Sequence, residues 1–293
     1  HRLCHEHRTT YHQLGFGHSG ASNRYFAPAL SGDGHGRHVS DWSLYDAHYG
    51  PLCDGSALAG GRRKPEPVHA IYTPINTGWP ADWLGFGQPG YRVEFVNVVR
   101  EFDQHFREKG WTQTIVEYFF NHKKRYRYFE WDGDEPRFPR DDGYFHFYRE
   151  LLHEAAGDSP VRWAFRMDAS WLMQRHFESM KDVVDFWVCG GFVSNYEQEV
   201  HDGPMARGEI VWFYGGAPPI SRPTADVLQN LWKCWARDFN GFCNWLATKP
   251  GPDPWFNSNG AATGIIYPGA RFGIAGPIPS IRLKVQRNAV QDV

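Results

Sequence analysis

Short apolar runs alternate with longer amphipathic stretches along most of this chain. "VHAIYTP" (68–74), "TIVEYFF" (114–120), "VRWAFRMD" (161–168), "VVDFWVCGGF" (183–192), "GEIVWFYGG" (208–216) and "FCNWLAT" (242–248) read as strands, and "YHQLGFG" (11–17) as an earlier one. Between them lie helical patterns. "RVEFVNVVREFDQHFREKG" (92–110) places Val93, Phe95, Val96, Val99, Phe102 and Phe106 on a 3.6-residue period, and Gly110 is a natural stop. "VSDWSLYDAHYGPLCDG" (39–55), "DDGYFHFYRELLHEA" (141–155) and "SWLMQRHFESM" (170–180) follow the same reading, as does the tail "PSIRLKVQRNAVQDV" (279–293). "TADVLQNLWKCWARDFNG" (224–241) is expected to be capped by Thr224 and ended by Gly241.

Nearly continuous apolar strands in βα alternation are the pattern of a buried parallel sheet. Seven such strands predict a (β/α)8 TIM-type barrel with its first βα unit missing from the chain. "HRLCHEHRTT" at the start reads as the end of that unit's helix. The expectation is one catalytic domain over 1–293, the C-terminal part of a longer protein. A doubly wound open sheet is the competing architecture, but no GxGxxG follows a strand.

Composition narrows the function. A net charge of −2 and a pI near 6.8 give no general basic surface for nucleic acid. The one basic run, "NHKKRYRYF" (121–129), reads as a solvated hairpin. No stretch of about 18 apolar residues is long enough to span a membrane. Phe, Trp and Tyr make up 16% of the chain, more than a core needs, which points to an aromatic-walled cleft. The five cysteines lack metal or disulfide spacing, and His5 and His7 fall on different faces of a helix, so neither a metal nor another cofactor is expected.

In a barrel the chemistry sits on the loops after the strands. Those positions hold Asn121, the segment 130–136, Asp168, Tyr214 and Trp245, with Trp187 inside a strand and Trp255 in the loop after the last one. The segment "EWDGDEPRFP" (130–139) crowds Asp132, Asp134 and Glu135 beside Trp131. Adjacent carboxylates do not easily straddle a glycosidic bond at the ~5 Å of a nucleophile and acid. They suit another division of labour, with Glu135 as acid/base and Asp134 holding the N–H of a 2-acetamido group whose oxygen attacks the anomeric carbon. Like charge would raise the pKa of one of them, and Pro136 favours an extended Glu135. An exposed turn is the competing reading of the same residues; the pattern of a calcium loop is not met, and no G-x-S-x-G is present.

"WDGDEP", after a strand ending in Asn121 and Lys123, resembles the W-x-x-DEP segment of a bacterial family known as domain of unknown function 4091, related to glycoside hydrolase family 123. The tail "YPG…GPIPSIRLKVQRNAVQDV" (267–293) resembles that family's other hallmark. The resemblance implies a (β/α)8 barrel behind an N-terminal β-sandwich. It also implies a retaining exo-β-N-acetylhexosaminidase of the N-acetylgalactosaminidase kind, with substrate-assisted catalysis by Asp134 and Glu135. Asn121, Trp131, Asp132, Asp168, Trp187, Tyr214, Trp245 and Trp255 are then the candidate contacts to an oligosaccharide or glycoconjugate, in a secreted or periplasmic setting. Arg282 and Lys284 are expected in helix-to-loop salt bridges. Two competing functions stay open: a barrel that binds glycan without cleaving it, and a glycosidase for sugars lacking the acetamido group, with Asp168 as the opposing carboxylate.

Overall fold

The computed structural model describes residues 1–12, 26–31, 38–80, 87–124, 130–170, 174–248, 253–255 and 264–291. The segment at the start forms a short helix, α1 (Arg2–Glu6), as expected; from residue 13 the run at 11–17 lies outside the described residues. A small antiparallel pair comes next, β1 (Ala29–Leu30) and β2 (Val39–Asp41). Val39–Asp41 was expected to open a helix. It is extended instead, and α2 (Ser43–Cys53) begins after Asp41, whose carboxylate accepts the Ser43 N–H at 2.8 Å and stops the strand there.

Six strands then share one parallel sheet in chain order: β3 (Ala70–Tyr72), β4 (Ile115–Phe119), β5 (Arg162–Ala169), β6 (Phe186–Cys189), β7 (Ile210–Gly215) and β8 (Gly241–Asn244). Each overlaps one of the apolar runs. Unbroken chain order is that of consecutive βα units; a doubly wound sheet reverses order at a switch point. The described residues thus form a mixed α/β fold with six parallel strands, and a closed eight-stranded barrel is not among them. A hairpin of β9 (Ile266–Pro268) and β10 (Pro277–Pro279) was not foreseen, because each strand is three residues long and carries proline.

The helices between the strands are α3 (Tyr91–Lys109), α4 (Pro139–Ala156), α5 (Gln174–Ser179), α6 (Glu197–Val200), α7 (Thr224–Ala236) and α8 (Ile281–Gln291). In α3 the buried stripe is Phe95, Val98, Val99, Phe102 and Phe106, whereas Val93 is 59% exposed. At 100° per residue Val93 points about 160° away from Phe95, so it cannot share that face. Gly110 ends the helix at φ +70, with the Trp111 N–H on the Phe106 carbonyl at 2.9 Å. Two boundaries of α7 differ from expectation: the cap residue is Pro223, and the helix ends at Ala236 because Gly241 is already in β8.

The chain forms two compact units. One comprises His12–Asp168 and Arg175–Phe186, with an aromatic core. On alternate positions of β4 and β5, Tyr118 and Phe165 face α3 and α4 side chains: Phe165 lies 5.1 Å from Tyr118, 5.8 Å from Phe120 and 5.6 Å from Phe145. The other comprises His1–Tyr11, Ala169–Gln174 and Trp187–Val293, and its core gathers Cys4, Ala217, Ile265, Ile266 and Leu283. Arg282 of α8 is buried there. It donates to the carbonyls of Pro218 (2.9 Å) and Gly264 and to the Tyr267 hydroxyl (2.8 Å), so these contacts of the tail motif go to neutral oxygens where salt bridges were expected.

Phe165 has no exposed surface and rings on three sides. Phe165→Ala is therefore expected to cost about 3–5 kcal/mol, read as a lower urea midpoint with an unchanged m-value.

Candidate active site

All the groups of the candidate site belong to the unit built on His12–Asp168. Residues with the same parity on a strand share a face. While Tyr118 and Phe165 turn to the helices, Glu117 on β4 and Arg166 and Asp168 on β5 turn the other way. The registers pair Tyr72 with Glu117 and Phe119 with Arg166, which brings these groups together. The Arg166 guanidinium is 4% exposed and contacts three acceptors: Asp168 through two nitrogens (2.7 and 3.1 Å), Glu117 at 2.7 Å, and the Tyr72 hydroxyl. It also stacks over Phe119 at 4.5 Å. The second oxygen of Glu117 meets His12 Nδ1 at 2.7 Å.

Beyond β4 the chain runs through Asn121 and His122, both buried, to Lys123. The acidic loop folds back onto this strand end. Gly133 and Asp134 both donate their N–H to the His122 carbonyl at 3.0 Å. Gly133 explains the glycine of the motif, because a Cβ there would lie 2.2 Å from the Phe120 carbonyl oxygen. Asp132 accepts the Lys124 N–H at 2.8 Å, and its own N–H binds the buried Asp141 carboxylate at the start of α4. Its visible work is to brace the loop. Trp131 is 2% exposed, stacked parallel to Tyr144 at 5.0 Å and edge-on to His122 at 4.5 Å, so its ring fills the floor under the loop.

Two carboxylates then converge on one ammonium. Lys123 Nζ lies 3.3 Å from Asp134 Oδ2 and in direct contact with Glu135 Oε2. The lysine side chain is 11% exposed, Asp134 8% and Glu135 21%, so Glu135 is the more open of the pair. Lys123 was read as part of a solvated hairpin; 125–129 lie outside the described residues, but Lys123 itself is enclosed by the acids that follow it. Glu135 is not extended before Pro136: its φ is +53, in the left-handed region that a non-glycine residue rarely adopts. The turn through Gly133 and Asp134 and the Lys123 contact hold it there.

Burial and charge work against each other in this cluster. Burial pushes the Asp168 carboxyl up to about 6; Arg166 opposes this, and the like charges of Asp134 and Glu117 add to it. Glu117 would also rise on burial, yet Arg166 and His12 outweigh it and hold it below the usual carboxylate range. For Lys123 the desolvation that lowers an amine is outweighed by Glu135 and Asp134, so its pKa is raised. Burial drops His122 to about 3 despite the nearby Asp134, leaving a neutral ring.

The remaining sequence candidates belong to the other unit. Trp187 is fully buried, with its indole N–H on Glu209 at 2.7 Å. Tyr214 is half-buried in β7, paired with Cys243 of β8. Trp245 is 41% exposed just past β8, and Trp255 stacks on Tyr267 at 4.6 Å. Pattern reading passed over Lys123, Arg166, Glu117, Tyr72 and His12. Two signals were available: a glutamate in the middle of the apolar strand "TIVEYFF", and Arg166 two residues before Asp168 on one face of a buried strand.

No family model and no curated protein matches this chain. Among solved structures it is similar to a family 123 glycoside hydrolase from Clostridium perfringens, described for the hydrolysis of glycolipid glycans, with 14% identity and a TM-score of 0.47. The likeness covers 70% of this chain and 34% of that enzyme, so the chain spans about a third of its length.

Gly133→Ala should displace the loop from the β4 end. The expected loss is about 1–3 kcal/mol of stability, or more where the backbone cannot yield, measured by urea unfolding.

Proposed function

We propose that the chain is the catalytic part of a glycoside hydrolase with a (β/α)8-type barrel, acting as a retaining exo-β-N-acetylhexosaminidase of the N-acetylgalactosaminidase kind. The observation that carries this is the shared ammonium: Asp134 and Glu135 reach Lys123 from one loop beyond β4, with Asp168 close by. Carboxylates that share one cation lie on one side of whatever they bind. They cannot act from opposite sides of an anomeric carbon, as a protein nucleophile and its acid partner do. The nucleophile must then come from elsewhere, and a substrate 2-acetamido oxygen supplies it.

In this reading Asp134, the more buried acid, accepts the acetamido N–H and orients the carbonyl oxygen toward C1. That oxygen forms its bond to C1 as the glycosidic C–O bond breaks. The leaving oxygen takes the proton of Glu135, which is the more exposed. Water later attacks C1 with Glu135 as base, restoring the acetamido group with net retention. Lys123 keeps Asp134 as a partner when Glu135 carries its proton. Asp168 is a poor alternative nucleophile, since Arg166 nitrogens occupy both of its oxygens.

Asp134→Asn and Glu135→Gln are expected to lower kcat on an aryl N-acetyl-β-galactosaminide by about 10²–10⁴. The Glu135→Gln loss should shrink on a dinitrophenyl glycoside, whose leaving group needs no proton, and a thiazoline analogue should inhibit. Undiminished activity in both variants would sink the mechanism. Tight glycan binding without hydrolysis of any acetamido sugar would identify a binding barrel instead.

A further inference from the structure

Lys123 meets both acids of the loop, and its two contacts are unequal. The ammonium donates to Glu135 Oε2 in direct contact, whereas Asp134 Oδ2 stands further off at 3.3 Å. The other oxygen of Glu135, Oε1, has no hydrogen bond or ion pair among the described residues, and it is not one of their buried atoms, so it keeps access to solvent. One carboxylate thus carries two unlike oxygens, one tied to the protein and one open.

Both ends of that tie are anchored. The His122 carbonyl, one residue before Lys123, receives the N–H groups of Gly133 and Asp134, which keeps the loop within reach of the amine. Glu135 follows directly, with its backbone turned to φ +53. We infer that Lys123 is a positioning residue: by holding Oε2 it makes Oε1 of Glu135 the oxygen that moves the proton in both halves of the reaction. This assignment rests on the hydrolase reading above. As the glycosidic C–O bond breaks, the leaving oxygen takes its proton from Oε1. When water attacks C1, the proton it gives up returns to Oε1. Oε2 stays on the ammonium throughout, because the carbonyl oxygen of a protonated carboxyl is still an acceptor. Without the lysine the two oxygens are equivalent and the carboxyl turns freely, which costs the alignment that proton transfer needs.

Lys123→Met removes the ammonium and keeps most of the side-chain volume. In the full chain, kcat/KM for the phenyl N-acetyl-β-galactosaminide, a poor leaving group, should fall at least about tenfold further than for the dinitrophenyl glycoside, which needs no proton. That excess should vanish when Lys123→Met is made in Glu135→Gln, where there is no proton left for the lysine to place. An equal loss on both glycosides overturns the positioning role, because a merely structural lysine lowers every substrate alike. An excess that persists in the double variant overturns it as well.

Should Lys123→Met fail to fold, the lysine itself gives the answer in protein labelled with ¹⁵N at lysine Nζ. An ammonium held by a carboxylate exchanges its protons with water slowly. In Glu135→Ala the exchange of the Lys123 ammonium is expected to quicken by about tenfold or more, the worth of one charged hydrogen bond, and in Asp134→Ala by less. No change in Glu135→Ala, or a greater one in Asp134→Ala, overturns the hold on Oε2. A wild type inactive on all acetamido sugars defeats the hydrolase reading and with it the kinetic role, while the exchange comparison still decides whether Lys123 holds Glu135.

Discussion

A guanidinium buried on one face of a parallel sheet is the constraint around which the rest of this site is arranged. Arg166 is almost wholly removed from water, which costs several kcal/mol unless charge and hydrogen bonds replace the lost solvation. Glu117 and Asp168 supply the charge, Tyr72 a hydroxyl, and Phe119 a ring for the flat face of the cation. The arrangement works in both directions. Without Arg166, Glu117 and Asp168 would be two like charges buried side by side. One buried cation thereby opposes the rise that burial gives Asp168 and, with His12, holds Glu117 below the usual carboxylate range.

The loop that carries Asp134 and Glu135 is fixed by covalent economy as much as by charge. Gly133 lets the backbone press against the end of β4, where no side chain fits. Trp131 anchors the loop in the aromatic layer, and Asp132 and Asp141 tie its backbone to the flanking segments. What remains free to vary is small: two carboxylates turned toward one lysine, with Glu135 held in a left-handed conformation. Backbone strain of that kind persists only where surrounding contacts over-determine it, and it is common where chemistry is done.

The tail motif has a different physical basis. Arg282 caps carbonyl groups of two separate loops from inside a helix, and Leu283 beside it fills the core of the second unit. Its prominence in the sequence reflects architecture within that unit.

Much of the fold was legible from the chain alone. The six strands fall on their apolar runs, and α3 stops at Gly110, because burial of a parallel strand and the end of a helix are local demands on residue type. The acidic loop was also visible, as three carboxylates around a glycine after a strand. What the sequence by itself could not show is which residues the acids meet. Lys123 reads as one more cation in a basic run, and Glu117 and Arg166 lie forty-nine positions apart, yet the strand register makes them an ion pair. Pairing across strands depends on register and on which face each side chain takes. Both are settled only when the sheet assembles, and the electrostatics of the site are settled with them.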